Sequence, residues 1–113
     1  MAVDNSAAVE RLWSKTLFGN QHMLQVASWI ADGAAEFTAP QLERATALGA
    51  SSVHRLLGIL CAVGLLSRVP RPARERTQGY RRESQPFWKA VSQMRQRAHD
   101  ATRAAEVPGR GGR

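Results

Sequence analysis

Thiols are almost absent from this 113-residue chain: Cys61 is its one cysteine. That excludes an internal disulfide and any cysteine-rich metal centre, and it fits a reducing compartment such as the cytoplasm. Long hydrophobic runs are missing too. The longest uncharged apolar stretch, Leu56 to Leu66, is eleven residues, against the roughly 20 that a membrane-spanning helix needs. The N-terminus lacks the basic-then-apolar pattern of a secretory signal. The expectation is a soluble cytoplasmic protein without a membrane partner. Lysine is scarce as well: only Lys15 and Lys89, against fourteen arginines. Arginine's planar fork matches phosphate and guanine, although a GC-rich genome produces the same bias.

What is present is a globular composition, 43% hydrophobic and 22% charged, with a net charge of +7. The length allows one domain with one modest core. The charge is lopsided. Residues 1–50 carry three basic and five acidic side chains, a net of −2, whereas residues 51–113 carry thirteen and four, a net of +9. An excess confined to one half points to a face built for a polyanion, since phosphate affinity follows local positive potential.

Apolar spacing organises the chain into helices. Val9, Leu12, Trp13 and Leu17 form a stripe on a helix over 4–17, with Asp4 or Ser6 as its cap. Asn20 is placed to cap a second helix to Asp32, striped by Met23, Leu24, Ala27 and Ile30 and ended by Gly33. Glu36-Phe37 reads as a short strand or an extended entry. Thr38-Ala-Pro-Gln41 has the form of a capping box with proline in the first turn, so a helix starts there and runs to about Leu48. Gly49-Ala50 makes a tight turn, Ser51 or Ser52 caps a helix to Val63, and Gly64 is its left-handed stop. Leu65–Val69 and Thr77–Glu83 read as strands around a proline- and arginine-rich loop, which cannot be a central strand or a helix. Pro86 opens a last helix to about Glu106, and 108–113 is a flexible basic tail. A single domain over 1–107, with its core at 20–83, is expected.

The order helix, short helix, tight turn, helix, strand, basic loop, strand resembles the winged helix-turn-helix of bacterial transcriptional regulators of the ArsR, MarR and IclR groups. The stretch Thr38 to Arg68 carries the resemblance. Within it, Ser52-Val-His-Arg-Leu-Leu57 with Leu60 and Gly64-Leu-Leu66 is most similar to IclR-type recognition helices. Tyr80-Arg-Arg and Pro86-Phe-Trp88 resemble the wing exit of small ArsR-like regulators. The resemblance implies a mainly α fold with a small β-hairpin wing, flanked by N- and C-terminal packing helices, that binds double-stranded DNA. The cysteine pair of metal-sensing ArsR proteins is missing, so metal sensing is not implied.

The residues give the same reading without the family. Val53, Leu57, Leu60 and Gly64 share one face of helix 52–63, which leaves Ser51, Ser52, His54 and Arg55 projecting from its first turn. A recognition helix enters the major groove with this end first. Arg55 can fork onto guanine, and the serines and first-turn N–H groups can hold a phosphate. Residues 68–82 carry a local +5, with Arg71, Arg74 and Arg76 at the tip of the wing and Arg68 and Arg81 on its strands. They are expected on phosphates or in the minor groove, together with Thr38 and Gln41 at the start of helix 38–48. Alternation places Tyr80 inward and Arg81 outward. The bland alternatives are a solvated loop and solvated helix charges.

One pattern conflicts. Helix 52–63 has no polar side chain from Leu56 onward, and Gly58 falls where a base-contacting side chain often sits. A helix apolar all round is normally buried. Its back end is therefore expected under the terminal helices or a second chain; alternatively, Gly58 allows close backbone approach. Phe87, Val91, Met94, Ala98, Ala101 and Ala105 form a heptad-like seam on the last helix. With Trp88 and Trp13, the seam is expected either to join two copies in a homodimer or to pack within one chain.

No nucleophile elbow, carboxylate pair, phosphate loop or metal-ligand spacing is present, and His22, His54 and His99 lie far apart. The expectation is a dimeric, sequence-specific DNA-binding regulator, not an enzyme, without a cofactor, metal or evident small-molecule ligand. The competing reading is a winged-helix protein-interaction module, like the dimerisation units of O-methyltransferases.

Overall fold

The computed structural model describes residues 5–70 and 77–106, with side chains as far as Arg103. Asp4, the wing-tip arginines Arg71, Arg74 and Arg76, the Ala105 side chain and the tail 108–113 lie outside the described residues. Five helices and three strands follow in the order α1 (Ser6–Phe18), α2 (Met23–Asp32), β1 (Glu36–Thr38), α3 (Ala39–Thr46), α4 (Ala50–Ala62), β2 (Leu66–Val69), β3 (Gly79–Arg82) and α5 (Pro86–Glu106). This is the expected mainly helical winged helix-turn-helix with a small antiparallel sheet.

The central element is α2. Leu24, Val26, Ala27 and Ile30 have no exposed surface, and they pack with Leu42, Val53, Leu56, Leu57, Leu60 and Val91 in one core. Asn20 does not cap α2 as its position predicts. His22 takes the cap position, with its N–H donating to Asn20 Oδ1 at 2.7 Å. Buried Ser14 of α1 reaches across to accept from the Leu24 N–H at 2.9 Å while donating to the Asn20 carbonyl. A side chain from a neighbouring helix thus satisfies a first-turn donor that the local sequence leaves open.

At α3 the local signal prevails. Thr38 Oγ1 accepts from the Gln41 N–H, and Gln41 Oε1 accepts from the Thr38 N–H at 2.8 Å, closing the capping box. The helix ends at Thr46, with Ala47 left-handed at φ 60°, a conformation that strains a residue with a Cβ. The chain then bends by 118° into α4, within the range of helix-turn-helix units. Contrary to expectation, neither Ser51 nor Ser52 caps α4. Gly49 does, extended and without a side-chain bond, and the helix starts at Ala50. At the other end Gly64 is left-handed at φ 79°, and the Leu65 N–H reaches back to the Leu60 carbonyl at 2.9 Å, turning the chain into β2.

The sheet order is β1-β3-β2, antiparallel throughout. Tyr80 is buried opposite Phe37, with the rings stacked at 5.8 Å, and Trp29 of α2 meets Phe37 edge-on at 5.6 Å. Arg82 donates from Nη1 to the carbonyls of Ile30 and Gly33 at 2.5 and 3.1 Å, which caps the C-terminus of α2 from the wing. Helix α5 lies along α1 and α2. Trp88, Val91 and Ala98 are buried there within the chain, and Trp88 Nε1 donates to the Glu83 carbonyl at 2.8 Å.

Candidate nucleic-acid interface

The buried positions of α4 are Val53, Leu56, Leu57 and Leu60. Their 3–4 spacing fixes the opposite face, on which Ser51, Arg55, Gly58 and Ala62 follow one another at the same intervals. Ser51, Ser52, His54 and Arg55 are all exposed at the leading end of the helix. None of their side chains has a hydrogen-bond or ion-pair partner among the described residues. Because Gly49 starts the helix without side-chain help, both serine hydroxyls stay available. Arg55 is the one full positive charge on α4.

Around this tip the candidate residues differ in how far the fold already uses them. Thr38 and Gln41 are engaged in the capping box, leaving the Gln41 amide N–H groups outward on an exposed side chain. Arg68 is exposed on β2 and unpaired among the described residues. Arg81 points outward as alternation predicts and meets Glu36 of the adjacent strand at 3.7 Å, with both side chains about half exposed. Such a surface pair contributes little and is readily exchanged for another anion. Arg82 counts toward the charge of the hairpin but is spent on the carbonyls of α2. The base of the hairpin is held by Gln78, which donates to the Val69 carbonyl at 3.3 Å.

For the apolar half of α4 the structure removes one of the two expected covers. The terminal helices do not cover it: Ile59 is 43% and Val63 65% exposed, and Ala62 is exposed beside them. The packing of α4 is instead chiefly on α3 and β2.

The residues expected at a dimer seam are distributed differently. Trp88, Val91 and Ala98 are occupied inside one chain, and Trp13, Phe87 and Met94 pack half-buried on the same core. The 4–3 spacing that marks an intermolecular seam equally marks a helix lying on its own core, and here α1 and α2 supply that core. The large apolar side chains left outward on α1 are Leu12 and Leu17, 63% and 57% exposed.

Sequence reasoning missed one cluster. Glu10 of α1 is buried, and its Oε1 receives Arg95 Nε at 3.1 Å and lies 2.7 Å from His99 Nε2. The only signal was the Arg95–His99 spacing of one helical turn; a carboxylate 89 positions away gives none. A groove of about 230 Å³ adjoins it, lined by Gln25, Trp29, Asp32, Thr46 and Arg95. Among the described residues no group of three or more His, Cys, Asp or Glu side chains could hold a metal ion. No single helix among them is long and apolar enough to cross a membrane.

No protein-family model matches the sequence, and no curated protein matches it. Solved structures do. Apo MarR from E. coli superposes with a TM-score of 0.70 at 17% identity, covering 92% of this chain and 78% of that one. The fold is the MarR winged helix. A MarR-family transcriptional regulator from Silicibacter pomeroyi matches at 0.65 and 20% identity over 96% of this chain and 70% of its own. A mutant MarR from E. coli, complexed with operator DNA, matches at 0.64 and 16% identity over 92% and 76%. At such identities the likeness concerns the fold, and what this MarR-type winged helix binds has to be argued from its own surface.

Proposed function

We propose that this chain is a transcriptional regulator that binds double-stranded DNA, with α4 entering the major groove leading end first and the hairpin reaching the neighbouring backbone. One observation carries the reading. The second helix of the helix-turn-helix presents Ser51, Ser52, His54 and Arg55 outward, unengaged by the described remainder of the fold. Arg55 would fork onto a guanine edge, His54 would meet a neighbouring base, and the serines would hold phosphate beside the helix N-terminus. Arg68 and Arg81, with Arg71, Arg74 and Arg76 of the wing, would supply sequence-independent phosphate contacts, and the Gln41 amide would add another at the start of α3. The operator-bound E. coli MarR, which shares this fold, lends the proposal support.

Two copies joined through their terminal helices would present two α4 helices to half-sites about 10 bp apart. Leu12 and Leu17, beside half-buried Trp13, are the apolar surface of α1 offered for that contact. The groove at Arg95 is not needed by this reading.

Selection of bound duplexes from a random pool tests it, and the expected product is a paired-repeat motif. Arg55→Ala should cost about 1–3 kcal/mol on that motif and relax one or two positions. Arg68→Ala should weaken every sequence alike and flatten the salt dependence. Equal losses for Arg55→Ala on selected and random DNA would remove its assigned role. The exposed Ile59, Ala62 and Val63 favour a second reading, a protein-binding module. Such a module would form no competitor-resistant complex with any duplex.

A further inference from the structure

The exposed apolar half of α4 is continuous with the polar tip, and three features of the chain bear on what covers it. First, no carboxylate occurs between Glu43 and Glu75, a span that includes all of α4 and β2 and carries Arg44, Arg55 and Arg68. Helix α4 and strand β2 thus contribute no negative charge of their own to repel phosphates, and the Glu83 carboxylate that reaches β2 is bound to the Ser67 hydroxyl. Second, Gly58 lies in the helix interior although nothing in the fold asks for it: a Cβ built there meets no atom within 4 Å. Glycine is among the poorest helix formers, and its missing side chain leaves the α4 backbone open to whatever approaches this face. Third, Ile59 is 43% exposed one turn beyond Arg55, on the same side of the helix. It sits about 12 Å along the axis from Ser51, two turns into the helix.

Duplex DNA offers one apolar group at the floor of the major groove, the 5-methyl of thymine. We propose that Ile59, with Ala62 behind it, reads thymine methyl groups, and that Gly58 lets the helix backbone settle close enough for that contact. The inference rests on the DNA-binding reading above and adds a specificity that Arg55 cannot supply. Guanidinium selects guanine, whereas a bare apolar side chain distinguishes thymine from a base lacking its methyl.

Deoxyuridine pairs as thymine does and lacks only that methyl, so it isolates the contact. The selected duplex is resynthesised with single thymines replaced by deoxyuridine, and binding is measured for the wild type and for Ile59→Ala. The wild type is expected to lose about 4-fold at one or two thymines in each half-site, the worth of burying one methyl. Ile59→Ala should bind the thymine duplex as weakly as the wild type binds the deoxyuridine duplex and show no further loss on it, while keeping its guanine preference. Gly58→Ala should raise the thermal midpoint of the protein and weaken binding about tenfold, because the added methyl holds the helix off the groove.

A wild type indifferent to every deoxyuridine overturns the proposal and leaves DNA binding standing, as does an Ile59→Ala variant that loses equally on both duplexes. Recovery of no duplex at all overturns both readings. A change of oligomeric state on Ile59→Ala would assign the face to a second copy of the chain and overturn the proposal likewise.

Discussion

Helices α2 and α4 are the two most apolar helices of the molecule, and the fold treats them in opposite ways. On α2, every aliphatic side chain from Met23 to Ile30 is buried, and the outward positions fall to Gln25, Trp29 and Asp32. On α4, one apolar face is buried while Ile59 and Ala62 stay in water, with Val63 just beyond. Apolar content therefore reports burial on α2 but not on α4. What differs is the surroundings: α2 is clasped by α1, α3 and α5, while α4 rests on α3 and β2 at the edge of the molecule. A contiguous apolar patch left outside, unlike a single exposed side chain, is a candidate surface for a partner.

Truncation to alanine on the two helices separates these roles most widely. Leu24→Ala is expected to cost about 2–5 kcal/mol of stability by opening a cavity at a fully enclosed site. Ile59→Ala should change stability by about 0.5 kcal/mol or less. Urea titrations of the two variants check this. A large loss for Ile59→Ala would mean that the outer face of α4 is covered in solution.

The next effect concerns what locks α2 in place. Arg82→Ala removes a charged donor from the carbonyls of Ile30 and Gly33, with an expected cost of about 1.5–3 kcal/mol. Arg81→Ala, one position away and paired only at the surface, should cost about 0–1 kcal/mol. A further effect has the opposite sign. Ala47 is left-handed at the turn into α4, so Ala47→Gly should gain about 1 kcal/mol by relieving the Cβ clash. Thermal melts rank all three, and a loss of stability for Ala47→Gly would show that the turn is not strained.

Local chemistry made much of this readable in advance. Thr38, Pro40 and Gln41 announce a helix start because both partners of the reciprocal bond lie three residues apart. Gly64 announces a stop because a left-handed residue is needed there. The outward Arg81 and inward Tyr80 follow from alternation alone. Two of the failures share a cause. The cap of α2 comes from Ser14 of another helix, and Glu10 finds Arg95 and His99 across the whole chain. Beyond the one-turn spacing of Arg95 and His99, neither pairing leaves a periodic or local trace. The seam on α5 was legible as apolar, but its partner was not, because spacing describes a face and says nothing of which surface meets it.

The amino-acid order by itself determined the succession of elements, the asymmetric charge and the exposed tip of α4, since each follows from spacing, capping and side-chain chemistry within a few residues. Tertiary structure decided which apolar faces are consumed. Trp88, Val91 and Ala98 turn inward because α1 and α2 lie beside them. Ile59 and Ala62 remain outside because α2, α3 and β2 pack only on the other face of α4. Burial is a relation between two surfaces, and only the folded chain supplies the second.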